Sequence, residues 1–294
     1  MANLKEIKSR ISSVSSTMKI TNAMKMISAA KLKKSQDRMN YIKPYSEGVS
    51  NLIRDLIPKK DKSQNKLIST QPAQPTQGKI LIIPITSNRG YCGGFTSNVF
   101  KKAHELIKNN FKKNSIEIFC IGKKAQEIFI KTNHHVIDTE INILNNVTFL
   151  ASKKISEKIT AQFLNNKWSK VIVIYNKFKN AATQIISSEK LLPIDLNKEN
   201  IENKNTSKDY IFEPDKTSII NTLLPKKINI QLFESILNSI ASEHGARMTA
   251  MHKATDNAQE LKQSLTLSYN RQRQAAITNE ILEIVAGAEA LKGS

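Results

Sequence analysis

The sequence is poor in the features that mark exported, membrane-spanning or metal-dependent proteins. It has two cysteines in 294 residues, Cys92 and Cys120, and their spacing predicts neither a disulfide framework nor a metal site. No apolar run approaches the roughly 18–20 residues that span a bilayer, and the N-terminus carries no apolar signal segment. We therefore expect a reduced, intracellular protein without a transmembrane segment.

Glycine and proline are scarce at both ends. The first 43 residues contain neither, and between Lys226 and Ala286 the only one is Gly245. These stretches predict two long helices, each roughly 65–90 Å at 1.5 Å per residue. The simplest arrangement is that they pair with each other and turn their outer faces to solvent or a partner. Pro44 should kink or end the first helix, and Pro58 should close that segment.

Apolar residues along the first helix alternate at spacings of three and four, which predicts a two-helix packing seam. A more polar seam of the same kind follows the last segment. Because a buried glutamine or asparagine needs a hydrogen-bond partner, such a seam is typical of a helix pair that other protein surrounds along part of its length. The predicted seams are Leu4, Ile7, Ile11, Val14 and Met18 in the first helix, and Met248, Met251, Thr255, Ala258, Leu261, Leu265, Ser268, Gln272, Ala275, Asn279, Leu282 and Ala286 in the last.

Residues 79–208 alternate short apolar strands with helical stretches, which predicts a parallel-rich sheet with crossover helices. The polar residues 59–78 read as a linker. Predicted strands are Lys79–Thr86, Ile116–Ile121, His135–Asp138, Lys170–Tyr175 and Thr183–Ser187, and predicted helices are Thr96–Asn109, Lys123–Lys131 and Val147–Lys167.

A glycine-rich turn, SNRGYCGGF, occupies residues 87–95 after the first predicted strand. Dinucleotide-binding folds cradle phosphate at such a turn, but this one reads G-x-x-G-G, and no acidic residue follows the next strand to bind a ribose. A P-loop motif is also missing from the sequence. The pattern favours a structural turn, and we expect no cofactor.

The histidines predict no catalytic or metal site. His134 and His135 are adjacent, so in a strand they point to opposite faces, and Asp138 and Glu140 make a weak ligand set beside them. We expect exposed, uncoordinated histidines and a chain that performs no catalysis.

The net charge of +20 lies mainly in the N-terminal part. Residues 1–60 hold 13 basic against 4 acidic residues, whereas residues 226–294 hold 8 against 7. A basic helix is either a solvated face or a surface for an acidic protein collar, nucleic acid or an anionic membrane. The first forty residues contain no aromatic residue for base stacking and no nucleic-acid-binding motif, which disfavours nucleic acid.

Three segments together resemble the gamma-subunit family of F-type ATP synthases. They are ISSVSSTMKITNAMKMISAAKLKKSQDRM near the N-terminus, the turn TSNRGYCGG, and SEHGARMTAMHKATDNAQELKQSLTLSYNRQRQAAITNEILEIVAGAEAL near the C-terminus, with DYIFEPD (209–215) as a further match. The chain departs from the family pattern at Asn88 and Tyr91, where an aspartate and a leucine are usual. It lacks the thiol-regulatory insertion of chloroplast members.

The resemblance implies a long antiparallel coiled coil of the N- and C-terminal helices plus a Rossmann-like α/β middle domain. The domains would be a shaft helix over 1–58, a linker over 59–78, the α/β domain over 79–208, and a foot segment with the second shaft helix over 209–294. It further implies a non-catalytic rotor shaft that couples proton flow to ATP synthesis. Its partners would be an alpha3-beta3 ring, an epsilon subunit and a c-subunit ring, at the cytoplasmic face of the bacterial inner membrane.

The resemblance also assigns contact residues. Arg273 and Gln274 match positions that engage a loop of beta, and Arg273 has the forked donor that suits a carboxylate. Tyr210 and Glu213 match positions that touch the c ring and epsilon at the foot. The apolar end of the last helix would be a bearing tip, formed by Leu282, Ile284 and Val285. The remaining expected beta contacts are Met24, Lys25, Met26 and Lys33.

Overall fold

The computed structural model describes residues 4–57, 66–68, 78–110, 115–195 and 210–292. The chain divides into two compact bodies, which we call the α/β body (residues 28–247) and the helical pair (residues 1–27 with 248–294). Most of the predicted linker over 59–78, and the predicted boundary at 208, fall outside the described residues. The domain limits placed there remain predictions.

Five strands and five α-helices make up the described chain. The helices are α1 (Leu4–Leu56), α2 (Phe95–Asn110), α3 (Lys123–Lys131), α4 (Phe149–Leu164) and α5 (Lys216–Lys292), with a short 3₁₀ helix at Asn142–Leu144. The strands are β1 (Ile80–Pro84), β2 (Ile116–Ile121), β3 (Val136–Glu140), β4 (Lys170–Phe178) and β5 (Gln184–Leu192).

The strands form one sheet in the order β3-β2-β1-β4-β5. The first four run parallel, with Ile82 opposite both Ile118 and Ile172, and β5 pairs antiparallel with β4. The central strand β1 is buried along its whole length, as expected for a parallel sheet covered by helices on both faces. The predicted Rossmann-like fold and the two long terminal helices are confirmed.

Two apolar layers cover the sheet. On one face, α2 and α3 pack Val99, Ala103 and Phe129 against the strands. On the other face, α4 and the parts of α1 and α5 that belong to the α/β body bury a larger cluster, which includes Ile53 and Leu232. Residues that the sequence placed in terminal helices therefore also build the core of the sheet domain.

Pro44 does not end the first helix, because α1 continues through Pro44 to Leu56, while a kink at Pro44 stays a prediction. Proline inside a helix removes one backbone hydrogen bond and costs roughly 3 kcal/mol. Between about one and three turns beyond it, Val49 and Ile53 are buried in the core, and this packing offsets the loss. Pro58 lies outside the described residues.

The helical pair is antiparallel. The hydroxyls of Thr21 and Thr255 lie 2.8 Å apart, and Lys262 Nζ lies 3.5 Å from Ser15 Oγ. Along the same register, Leu4, the first described residue of α1, falls opposite residue 272 or 273. The rest of α5 therefore extends beyond the described part of its partner helix.

The predicted seam of α1 agrees with burial, since all five of its residues are buried or half-buried. On α5 the prediction is wrong at four residues that are exposed beyond the described part of the partner helix, Ala275, Asn279, Leu282 and Ala286. It is also wrong at Leu261 and Ser268, which are exposed. Lys262 and Tyr269 are half-buried in their place. Long amphipathic side chains can bury their stems while the polar end reaches water, so a search for apolar letters misses them.

Candidate functional site

The glycine-rich turn of residues 87–94 lies at the carboxyl end of β1, where the strand order reverses and α/β folds often bind ligands. Its first residues are bound by the chain itself. Asn88 Nδ2 donates to the carbonyl of Ile141 at 2.9 Å, while Asn88 Oδ1 accepts from the backbone amide of Lys123 at 3.1 Å. The side chain therefore ties the turn to the start of α3 and to the loop after β3.

The residues that follow β1 and β2 also pack closely against each other. Thr86 Oγ1 accepts from the backbone amide of Ala125 at 2.9 Å. Gly122 has a φ of 106°, and a Cβ there would lie 2.9 Å from Thr86 Oγ1, so this close approach requires glycine. These contacts support the interpretation of the segment as a structural turn.

A buried group of charged and titratable side chains on α5 faces the same turn. Arg247 pairs with Glu243, and its guanidinium reaches backbone carbonyls of the turn. Burial raises the pKa of Glu243 above its ordinary value, although the positive charge of Arg247 opposes that shift. Burial, together with Arg247 and Lys31, lowers the pKa of His244 to about 4, so His244 is neutral at pH 7.

The two histidines just before β3, His134 and His135, do not form a metal site with the described residues around them. His134 packs its ring against Phe129, with centroids 5.7 Å apart, and burial and nearby His104 lower its pKa. Within the described ranges, no three His, Cys, Asp or Glu side chains are grouped so that they could hold a metal ion. Burial also raises the pKa of the Cys120 thiol to about 12.

The residues of α1 that are expected to contact beta differ in their exposure. Met26 is exposed, whereas Met24 and Lys25 are half-buried in the helical pair. The expected contact Lys33 is an exposed residue of the α/β body.

Arg273 and Gln274 lie just past Gln272, the last half-buried residue of α5, and both are exposed. The register of the pair places Met24 opposite about residue 252. Arg273 is thus roughly 30 Å farther along the axis, at 1.5 Å per residue. The expected beta contacts of the helical pair therefore fall at two separate levels.

The end of α5 is exposed on all sides from Arg273 to Glu289. Leu282, Ile284 and Val285 are 60%, 66% and 50% exposed. Ile277 and Ile281 add to this surface, so large apolar side chains lie on more than one face of the helix. These exposed apolar side chains make the end of α5 a candidate site of contact with another molecule.

At the expected foot, Tyr210 is partly engaged by its own chain. Its hydroxyl donates to Asp55 Oδ2 at 2.8 Å, and this bond raises the pKa of Tyr210. Glu213 is exposed. Ile211 is fully exposed and Phe212 is 36% exposed, so apolar side chains stand between the two expected residues.

Sequence reasoning missed two features of these surfaces. Ile211 was not singled out, although an isoleucine between Tyr210 and Phe212 in a polar neighbourhood is a local signal of an apolar patch. Arg247 was not singled out because its partners Arg89 and Gly90 are distant in sequence. No local pattern could have indicated that contact.

The fold and these surfaces define a class: a Rossmann-like domain whose turn is bound internally, in one chain with an antiparallel helical pair that offers an exposed helix end for contact. Among the residues described, no helix is long and apolar enough to cross a bilayer.

Comparison with known proteins identifies the family within this class. The family described as ATP synthase matches residues 3–291. The chain is 49% identical to the ATP synthase gamma chain of Flavobacterium psychrophilum and 48% identical to that of Christiangramia forsetii, covering 100% of both chains in each case. The protein belongs to the ATP synthase gamma chain family.

Solved structures agree on the fold. The chain superposes with a TM-score of 0.69 on a chain from the Euglena gracilis mitochondrial ATP synthase, OSCP/F1/c-ring, in rotational state 3. The match has 18% sequence identity and covers 98% of this chain and 94% of that one. A chain of the Tetrahymena thermophila central stalk and c-ring gives a TM-score of 0.59 at 24% identity, over 80% of this chain and 99% of the other.

Proposed function

We propose that this chain is the central rotor shaft of an F-type ATP synthase. It is a non-catalytic subunit that couples proton flow to ATP synthesis or hydrolysis at the beta subunits. Its partners are the alpha3-beta3 ring, the epsilon subunit and the c-subunit ring. It is peripheral to the membrane, at the cytoplasmic face of the bacterial inner membrane.

The observation that carries the proposal is the exposed end of α5, residues 273–289, which continues past the described part of its partner helix. A helix with polar anchors at Arg273 and Gln274 and an apolar end at Leu282, Ile284 and Val285 fits a socket that surrounds it. The polar residues suit directional contacts with beta, whereas the apolar end suits a bearing that forms few directional bonds.

The two helices of the helical pair also differ in net charge. Its α1 part carries four lysines and one arginine against one glutamate, while its α5 part carries five basic and five acidic residues. Such a rod cannot contact three identical beta subunits in the same way. Each subunit is biased to a different conformation, and turning the rod passes the bias to the next.

The required differential contact is modest. Shifting a two-state site from 1:99 to 99:1 needs about 5.5 kcal/mol. Hydrogen bonds to charged groups contribute about 1.5–3 kcal/mol each, so a few contacts by Arg273, Gln274 and the basic face of α1 are sufficient.

Replacing Arg273 with alanine tests the proposal in the complete complex, reconstituted in vesicles. We expect proton-driven ATP synthesis to fall about two- to tenfold, which corresponds to the lower part of the range of about 0.5–2 kcal/mol by which single mutations change coupling. The free chain should unfold as the wild type does, because Arg273 is exposed. The matched control is Arg271→Ala, since Arg271 is also exposed but lies two residues away, roughly 200° around the helix.

Equal loss in both variants would contradict the assigned role of Arg273. A complex without this chain should hydrolyse ATP without pumping protons, and the isolated chain should hydrolyse none. If the isolated α/β body bound ATP saturably, or the chain bound nucleic acid with a steep salt dependence, the rotor assignment would need replacement.

A further inference from the structure

Every nitrogen of the Arg247 guanidinium has a partner, and two of the three reach the glycine-rich turn. Its Nη2 donates to the carbonyl of Arg89 at 3.1 Å, to that of Gly90 at 3.3 Å, and to Glu243 Oε1 at 2.7 Å. Its Nε also donates to the Gly90 carbonyl at 3.3 Å, and Nη1 lies 3.4 Å from His244 Nδ1. The guanidinium is therefore committed to contacts within its own chain.

The turn that receives these bonds needs to be held. Tyr91 has a φ of 62°, a left-handed conformation that is unfavourable for a residue with a side chain. Tyr91 is 74% exposed, so burial of its own ring does little to fix this conformation. The bonds to the two carbonyls just before it, on Arg89 and Gly90, constrain the backbone in its place.

Arginine suits this position better than lysine does. A planar fork can reach a carboxylate and two carbonyls at once, whereas an ammonium is a compact point charge on a flexible stem. The side chains of Arg247 and Glu243 are only 9% and 10% exposed, which strengthens each of these bonds relative to bonds in water.

We propose that Arg247 is a positioning residue for energy coupling, which fixes the turn of residues 87–94 so that exposed Arg89 and Tyr91 project in one orientation. In this proposal Arg247 acts through the turn, to which its guanidinium is bonded, rather than by binding another subunit itself. The coupling part of this inference rests on the proposed rotor function; the contact with the turn does not.

The first experiment measures the turn in the isolated full chain. Arg247→Lys keeps a positive charge beside Glu243 but loses the fork. Trypsin cleavage after Arg89 requires the turn to open locally, and its rate follows the population of the open form. We expect cleavage to be roughly 10- to 100-fold faster in the variant, the loss expected from weakening hydrogen bonds to a charged donor.

The matched control is Arg10→Lys. Arg10 forms the same kind of ion pair with Glu6, four residues earlier in α1, but that pair is exposed. Cleavage after Arg89 should be unchanged in this control. An unchanged rate in Arg247→Lys as well would overturn the role of Arg247 in holding the turn.

The second experiment measures coupling in the complete complex. Arg247→Lys should retain its maximal rate of ATP hydrolysis but lose about two- to tenfold in protons pumped per ATP hydrolysed. A residue that only stabilised the fold would lower the amount of active complex and leave that ratio unchanged. An unchanged ratio alongside faster cleavage would therefore overturn the coupling role.

A second variant guards against misfolding of Arg247→Lys, which the fluorescence of the single tryptophan, Trp168, would reveal. One glycine inserted between Gly93 and Gly94 changes the turn and leaves Arg247 and Glu243 intact. We expect the same loss of pumping ratio, and normal pumping would contradict the proposal. If the wild-type complex itself failed to couple, the rotor assignment would fall, while the cleavage result would still decide whether Arg247 holds the turn.

Discussion

Glu6 and Arg10 in the helical pair have the same spacing as Glu243 and Arg247 in the α/β body, and the two ion pairs are 2.8 Å and 2.7 Å long. The first pair is well exposed and the second is nearly buried. An exposed pair of this spacing contributes about 0.3–0.5 kcal/mol, whereas removing one partner of a buried pair costs about 3–5 kcal/mol. One sequence pattern therefore has two different energetic meanings.

The same contrast runs along α5. Between Leu224 and Arg247 most of its residues are buried in the α/β body, whereas from Arg273 to Glu289 every residue is exposed. Mutations in the first stretch should therefore act on the stability of the body. Mutations in the second should act on contacts with other subunits and leave the free chain unaffected.

Two leucines of α5 give the largest expected difference. Leu232 is completely buried and Leu282 is 60% exposed. Leu232→Ala should lower the free energy of unfolding by about 3–4 kcal/mol, because it removes buried methyl groups and leaves a cavity. Leu282→Ala should change it by less than about 0.5 kcal/mol. Urea unfolding followed by the fluorescence of Trp168, which is buried in the α/β body, measures both.

A similar cost for the two alanine variants would break the comparison. It would mean that the end of α5 folds against another part of the free chain. A matched pair of isoleucine variants, Ile236→Val in the body and Ile284→Val at the exposed end, should reproduce the contrast at smaller size, with about 1 kcal/mol lost in the first and almost none in the second.

The two histidines of α5 extend the comparison to pH. The pKa of His244 is lowered to about 4 in the folded chain from an ordinary value near 6.5. The unfolded chain then takes up a proton that the folded chain does not, so stability is lost as the pH falls from about 6.5 towards 4. The loss should reach about 2–3 kcal/mol. His252, which is exposed in the helical pair, provides the control position.

The measurement compares the pH dependence of unfolding in His244→Gln, His252→Gln and the wild type. Differences between variants are needed because Glu243, whose pKa burial raises, changes the stability of the fold with pH in the opposite direction. His244→Gln should flatten the loss of stability below pH 6.5, and His252→Gln should leave it in place. The reverse result would place the titrating group in the helical pair.

Two asparagines give the smallest difference. Asn88→Asp removes the donor to the Ile141 carbonyl and sets two acceptors against each other. The new charge near the first residue of α3 is partly favourable, because helix N-termini attract negative charge. We expect a net loss of about 1 kcal/mol, against almost none for Asn279→Asp at the exposed end of α5. Thermal unfolding monitored by near-UV circular dichroism would show a lowered Tm for the first variant alone.

Local patterns predicted the regular elements well. The strand Ile116–Ile121 and the helix Lys123–Lys131 have the bounds expected from apolar runs and amphipathic spacing. The strand β5 was predicted too short, at Thr183–Ser187, because the residues that follow, Ser188–Lys190, are polar. Antiparallel pairing with β4 satisfies the backbone there, and sequence alone does not show which strand will supply that partner.

The residues of the candidate site also fall into two groups, those that the sequence indicated and those that only the structure brings together. Family motifs indicated Arg273, Gln274, Tyr210 and Glu213, and their contacts with other subunits remain predictions. The hydrogen bond from Tyr210 to Asp55 and the hold of Arg247 on Arg89 and Gly90 join residues more than 150 positions apart. Such pairings depend on how elements pack, which periodicity within one element does not report.

By itself, the amino-acid sequence determined that both ends are helical, that the middle is a parallel-rich sheet, and which family pattern the chain carries. These follow from local preferences: the absence of glycine and proline, the spacing of apolar residues, and long specific motifs. Only the tertiary structure decided where α1 and α5 change neighbours, why α1 passes through Pro44, and which Glu–Arg pair is buried. Those outcomes depend on contacts between distant segments, whose burial sets the strength of every charge and hydrogen bond involved.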